Sequence, residues 1–178
     1  MGAGSAFQVW RNSAYNVARG GVVGMNRPYR QMQLVQHDPA NGMFGDCYRT
    51  CVAIVLGRPV DEVPHVCENG WYNTDDLDGL IAMRAFLRSE GFAISKSVFH
   101  GDLSWTTFKK WMHQFNPDSY TIVTGQTKSG SNHCVVMKGG EVFCDPITGE
   151  PTPTPFIGGA LAGGECHWWC EVVHPLVL

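Results

Sequence analysis

The sequence predicts an α+β domain, on three observations. Apolar residues recur at helical spacing in three stretches before residue 117, alternating strand-like stretches joined by a glycine pair follow, and 21 glycines with 10 prolines supply turns between short elements. A length of 178 residues suits one core, and 44% hydrophobic against 16% charged residues suits a packed one.

Residues 1 to 30 are rich in Gly, Ala, Asn and Arg without a period and read as an extension outside the core. From Gln31 the alternation QMQLVQ predicts a short strand, so the domain is expected to run from 31 to 178. Asp46 is placed to cap a helix that starts at Cys47, with Cys51, Val52, Ile54 and Val55 as its buried stripe and Gly57 as its stop. A second helix is expected from Asn73 or Thr74 to Gly91, with Leu77, Leu80, Ile81, Arg84 and Leu87 at helical spacing. A third starts at Ser104, buries Phe108, Trp111, Met112 and Phe115, and ends before Pro117.

Strands are expected at Tyr120 to Thr124, His133 to Lys138 and Glu141 to Asp145, the last two as a hairpin across Gly139-Gly140. Helices thus precede strands. Residues 146 to 165, with their prolines and glycines, read as one long irregular loop before a last strand near Trp168 to Val173.

Several function classes are disfavoured. The net charge is -3 and the 13 basic residues are scattered, so no stripe exists to neutralise successive phosphates, and nucleic acid is not an expected partner. The longest apolar runs, such as Val52 to Leu56, fall far short of the roughly 20 residues a membrane span needs. The first 24 residues lack the continuous apolar stretch of a secretory signal, which points to the cytosol. Seven cysteines without a regular framework are expected to be mostly reduced, buried thiols.

Chemistry concentrates in two segments. GDCYRTC puts Cys47 at a helix N-terminus, where orphan N–H groups and the macrodipole favour a thiolate, and where the backbone N–H supplies half an oxyanion hole. Gln36 upstream is the candidate for the other half, with Asn41 as its rival. SNHCVVMKGGEVFCDP puts His133 and Asp145 at nearly equal distances from the hairpin turn, so that Asp145 can orient the ring while its other nitrogen faces Cys47.

These segments resemble the papain-like cysteine peptidase superfamily, in particular the small bacteriocin-processing peptidases and related peptidases inferred in phages and bacteria. The likeness rests on Gln36 before G-D-C, on the C-x-A-I-x-L-G-R-P-V-D-E-V-P stretch from Cys51 to Pro64, and on H-C-V-V-M-K-G-G-E-V-F-C-D-P from His133 to Pro146. It implies a papain-like fold, with the nucleophile helix packed on a small antiparallel sheet. It also implies Cys47 as nucleophile, His133 as base, Asp145 as orienter and Gln36 as oxyanion donor, acting on a peptide or protein substrate with no metal or organic cofactor. One departure is the eleven-residue gap from Gln36 to Cys47, longer than the family's, which requires the intervening loop to bulge; Asn41 has the nearer spacing.

Rival readings remain in view. The fold can serve as an idle binding or virion-associated protein, and the same triad can pass an acyl group to an amine. Cys51, one turn after Cys47, is a possible redox partner but falls on the buried helix face. Cys166, His167 and Cys170, with Cys144 or Cys67, offer zinc ligands, yet strand alternation sends His167 to the opposite face from the two cysteines. Trp111 reads as core, while one of Trp168 and Trp169 should approach the surface. Oligomeric state has no readable signal.

Overall fold

A computed structural model describes residues 26–68, 78–100, 102–162 and 165–176. The chain forms α1 (Cys47–Leu56), α2 (Asp78–Ser89), β1 (Phe92–His100), α3 (Trp105–Phe115), β2 (Tyr120–Gln126), β3 (Asn132–Lys138), β4 (Glu141–Cys144), β5 (Gly158–Ala162) and β6 (Glu165–Pro175). The strands build one open, wholly antiparallel sheet in the order β1-β6-β5-β2-β3-β4, with β6 also pairing directly with β2.

Period-two alternation in β2 and β3 divides the core into two layers. Ile122, Cys134 and Val136 join α1 and α2 in one cluster with Cys51, Ile54, Val55, Met83 and Leu87. Val123, Val135 and Met137 point the other way, onto Phe108 and Met112 of α3 and onto Phe156 and Trp168. Helices therefore cover both faces of the sheet. The fully buried Ile54, Leu56, Phe108 and Trp168 are among its largest anchors, each stabilising by about 1.5–3 kcal/mol relative to exposure.

The two glycines of the β3–β4 turn have φ of 58° and 83°, the doubly left-handed backbone that a tight two-residue hairpin requires. Ser104 caps α3 as anticipated, accepting from Thr107 N at 3.2 Å. Gly57, at φ 64°, ends α1.

Other expectations are corrected. Residues 31–36 form no strand: Gln33 N donates to Pro146 O and Asp46 N to Val35 O, single bonds to separate segments instead of a ladder. Residues just before 31 also touch the packed chain, Asn26 donating to Gly57 O and Arg30 to Phe143 O. Residues 1–25, and the expected start of the second helix at Asn73 or Thr74, lie outside the described residues. In α2, Met83, Phe86 and Leu87 are buried while Ile81 is exposed. In α3, Trp111 and Phe115 are exposed, and Trp111 meets Phe99 edge-on at the rim.

Two strands escaped the sequence reading. β1 lies between α2 and α3, so helices do not all precede strands; it is an edge strand, half exposed, with little apolar contrast. β5 occupies the end of the expected long loop, with Gly159 admitting a close approach of the His167 backbone of β6.

Candidate active site

The N-terminus of α1 is fixed by an exchange between Asp46 and Val35. Asp46 does not cap the helix with its side chain; its carboxylate accepts from Val35 N at 2.9 Å, its own N–H donates to Val35 O at 3.3 Å, and Arg49 pairs with its second oxygen at 3.5 Å. This double bond between neighbours of Gln36 and Cys47 holds the two regions together across eleven residues. The intervening chain bulges out through the short 3-10 turn Pro39–Asn41.

His133 is the second residue of β3 and Asp145 follows β4, and Nε2 of His133 lies 2.8 Å from Oδ1 of Asp145. The ring packs against Phe156, centroids 6.3 Å apart. Phe156 reaches it over Gly125, the β2 residue paired with His133: a Cβ there would lie 2.7 Å from Phe156 and 2.8 Å from Trp168. Asp145 is braced by Ile147 N at 3.0 Å. Cys47, His133 and Asp145 are 9%, 5% and 4% exposed, so the three sit at the floor of the molecule's surface, not on it.

Cys47 and Cys134 share the α1-side core, and both Cys134 and His133 act on the Cys47 thiol. The Cys134 thiol contributes most to pulling the Cys47 thiol well below its ordinary range, burial opposes it, and the His133 bond and charge add to it. Burial favours the neutral His133 ring, but the hydrogen bonds to Asp145 and Cys47 outweigh it and raise its pKa to about 9. For Asp145, burial is likewise outweighed by His133, and its carboxyl is held below the usual range. The arrangement favours a thiolate–imidazolium pair with a carboxylate behind it. Cys134 is in turn hydrogen-bonded to Thr124 Oγ1, at 3.2 Å, and is kept protonated first by its bond to Cys47 and then by burial.

Of the expected site residues, His133 and Asp145 are hydrogen-bonded to one another, and His133 acts on the Cys47 thiol. Gln36 is exposed; its Oε1 accepts from the buried Gln33 Nε2 at 3.1 Å, which leaves the Gln36 amide nitrogen as a donor. Asn41 spends its amide on Asp38 Oδ2 at 2.6 Å. Sequence reasoning missed Cys134, Thr124, Gln33 and Phe156. Only Cys134 had a signal, as the residue following the candidate base.

The alternative chemistry is less well assembled. Cys51 is fully buried, its thiol pushed well up by burial. Cys166 is exposed, Cys170 buried and His167 bonded to Glu165 at 3.1 Å. Among the described residues no three His, Cys, Asp or Glu side chains gather at metal-binding distance. Trp168 is fully buried, while Trp169 carries Lys96 Nζ 4.1 Å above its ring. Among the described residues, no helix is long and apolar enough to cross a membrane.

A groove of about 700 Å³ runs beside α3, lined by Trp105, Lys109, His113 and Pro153, and contains none of the three triad residues. No protein-family model, curated protein or solved structure matches this chain.

Proposed function

We propose that this chain is a papain-like cysteine hydrolase that cleaves an amide, isopeptide or thioester bond of a peptide or protein substrate. The observation that carries the reading is the 2.8 Å His133–Asp145 hydrogen bond together with Cys47 at a helix start, its thiol held below the ordinary range by Cys134 and then His133. Papain-like describes the nucleophile helix packed on an antiparallel sheet that carries base and orienter.

In this mechanism the Cys47 thiolate attacks the substrate carbonyl carbon, and the developing oxyanion is met by the Cys47 backbone N–H and the Gln36 amide. The His133 imidazolium gives its proton to the leaving amine. It then takes a proton from the water that hydrolyses the acyl-enzyme. Asp145 is the positioning residue that fixes the ring and stabilises its charge. An amine in place of that water would give acyl transfer through the same groups.

A panel of peptides bearing a C-terminal electrophile, followed by mass spectrometry of the adduct, tests the reading. Exposure alone favours Cys166, whereas activation favours Cys47, so the two make different predictions. The expected outcome is one adduct, on Cys47, formed at a rate that depends on peptide sequence and is lost in His133→Ala. Adducts first on Cys166, or none on Cys47, would leave an idle fold that binds without turnover.

A further inference from the structure

The thiol of Cys134 takes no covalent part in acyl chemistry. A papain-like step needs a nucleophile, a base and oxyanion donors, yet β3 also turns Cys134 into the core cluster that holds Cys47, where Thr124 Oγ1 of the neighbouring strand fixes its sulfur at 3.2 Å. Cys134 lies in the α1-facing cluster with Cys47, while its chain neighbour His133 approaches the same sulfur and packs on Phe156 of the opposite layer. The other helix cysteine, Cys51, is one turn deeper in the core.

We propose that Cys134 is the resolving thiol of Cys47, so that attack of a peroxide on Cys47 is captured as a reversible Cys47–Cys134 disulfide. In the first step the Cys47 thiolate attacks one peroxide oxygen and the O–O bond breaks. Cys47 becomes a sulfenic acid, and the peroxide, reduced by two electrons, leaves as alkoxide or hydroxide and takes a proton from solvent. The Cys134 sulfur then attacks the Cys47 sulfur. An S–S bond forms, the S–O bond breaks, and the departing hydroxide leaves as water with the Cys134 proton. Two electrons from an external thiol restore both cysteines.

The device is self-timed. While Cys47 is a thiolate, the bond it accepts keeps Cys134 protonated; its oxidation removes that charge and frees Cys134 to act as nucleophile. Closing the disulfide blocks the nucleophile and protects it from the irreversible sulfinic state. The inference rests on Cys47 being a thiolate, the same premise as the hydrolase reading.

Trypsin gives an unambiguous readout. Cleavage after Arg30 and Arg49 releases Cys47 alone in peptide 31–49, separated from Cys51, and cleavage after Lys128 and Lys138 releases Cys134 alone in peptide 129–138. The reduced full chain, treated with two equivalents of hydrogen peroxide and alkylated, is expected to yield these two peptides cross-linked, with two thiols lost per chain and both recovered by dithiothreitol. In Cys134→Ser, Cys47 is expected to proceed to sulfinic acid, which dithiothreitol does not reverse. The pairing is overturned if wild-type Cys47 reaches sulfinic acid while Cys134 stays free, or if Cys47 links to the peptide beginning at Thr50. If iodoacetamide labels Cys47 first but no link forms, only the pairing fails; if neither reagent modifies Cys47, the hydrolase reading fails with it.

Discussion

Nε2 of His133 sits 2.8 Å from Oδ1 of Asp145, and the two side chains share a face because the β3–β4 register shifts by one residue between Val136 and Met137. Counted evenly from the glycine pair, Asp145 would stand opposite Cys134, whose side chain lies on the other face of β3. With the bulge, Cys144 pairs with Val136, and the next step along sets Asp145 beside Val135, a diagonal neighbour of His133. The carboxylate therefore reaches the ring from a set-back position and touches no reacting atom. Cys47→Ala should abolish turnover and His133→Ala should cost on the order of 10²–10⁴-fold, the scale of lost acid–base catalysis. Asp145→Asn should retain more activity than either, and steady-state kinetics with circular dichroism as a folding control checks this order. An Asp145→Asn defect equal to that of His133→Ala, in a folded protein, would contradict it.

The pH dependence follows from the same pair. A histidine in an unfolded chain loses its proton near 6.5, whereas His133 holds it to about 9. The protonated ring thus stabilises the fold fully below about 6.5, and that contribution is lost as pH rises through about 9. Cys47 is shifted the opposite way, below its ordinary value of 9.0. Between the two ionisations the thiolate–imidazolium pair exists, so kcat/KM should be bell-shaped, with an alkaline limb near 9 and an acid limb below the ordinary cysteine range. Thiolate absorbance against pH gives the acid limb independently of substrate, and its appearance only in the ordinary cysteine range would refute the pairing.

The local signals were legible where one residue type decides the backbone. Gly139-Gly140 marked the hairpin, Ser104 the start of α3, and the Gly57 stop fixed the end of α1. What escaped were features decided by distant partners. β1 alternates weakly because its strand is paired on one side only, and β5 carries Gly159 where the His167 backbone of β6 passes close. The triad's members stood out by type and order, yet the bulge that puts Asp145 on the right face has no local motif. Cys134 was visible in the chain, but its contact with Cys47 depends on how α1 packs on β3, which spacing does not encode.

The oxyanion donor is the point on which spacing and geometry part. Asn41 has the shorter separation from Cys47, but it stands on the exposed turn with its amide committed to Asp38. Gln36 adjoins Val35, which Asp46 grips twice, and its carboxamide is oriented by Gln33. Gln36→Ala should lower kcat by about 100- to 1,000-fold, the range for losing one oxyanion donor, while Asn41→Ala should stay close to wild type. Gln33→Leu should fall between them, chiefly in kcat, because it removes the bond that orients Gln36 and not a group on the substrate. Kinetics of the three variants decides it, and a larger defect in Asn41→Ala would move the role there.

The Cys134 contact also predicts a graded loss of thiolate. Its S–H is a weak donor, but here it serves a buried anion, where a hydrogen bond is worth more than one to a neutral group. Cys134→Ala keeps His133 and Asp145 in place and removes only that donor, so the Cys47 pKa should rise while the alkaline limb set by His133 stays near 9. Alkylation of Cys47 on the acid side should slow by about tenfold, the low end for losing a bond to a charged group. Thr124→Val leaves Cys134 present but without its hydroxyl partner, and should move the acid limb the same way by less. A structural role alone would lower the melting temperature and leave the acid limb where it was. Iodoacetamide rates against pH for the three proteins, with melting temperatures alongside, separate the two outcomes, and an unmoved acid limb in Cys134→Ala would leave His133 as the only side chain stabilising the nucleophile.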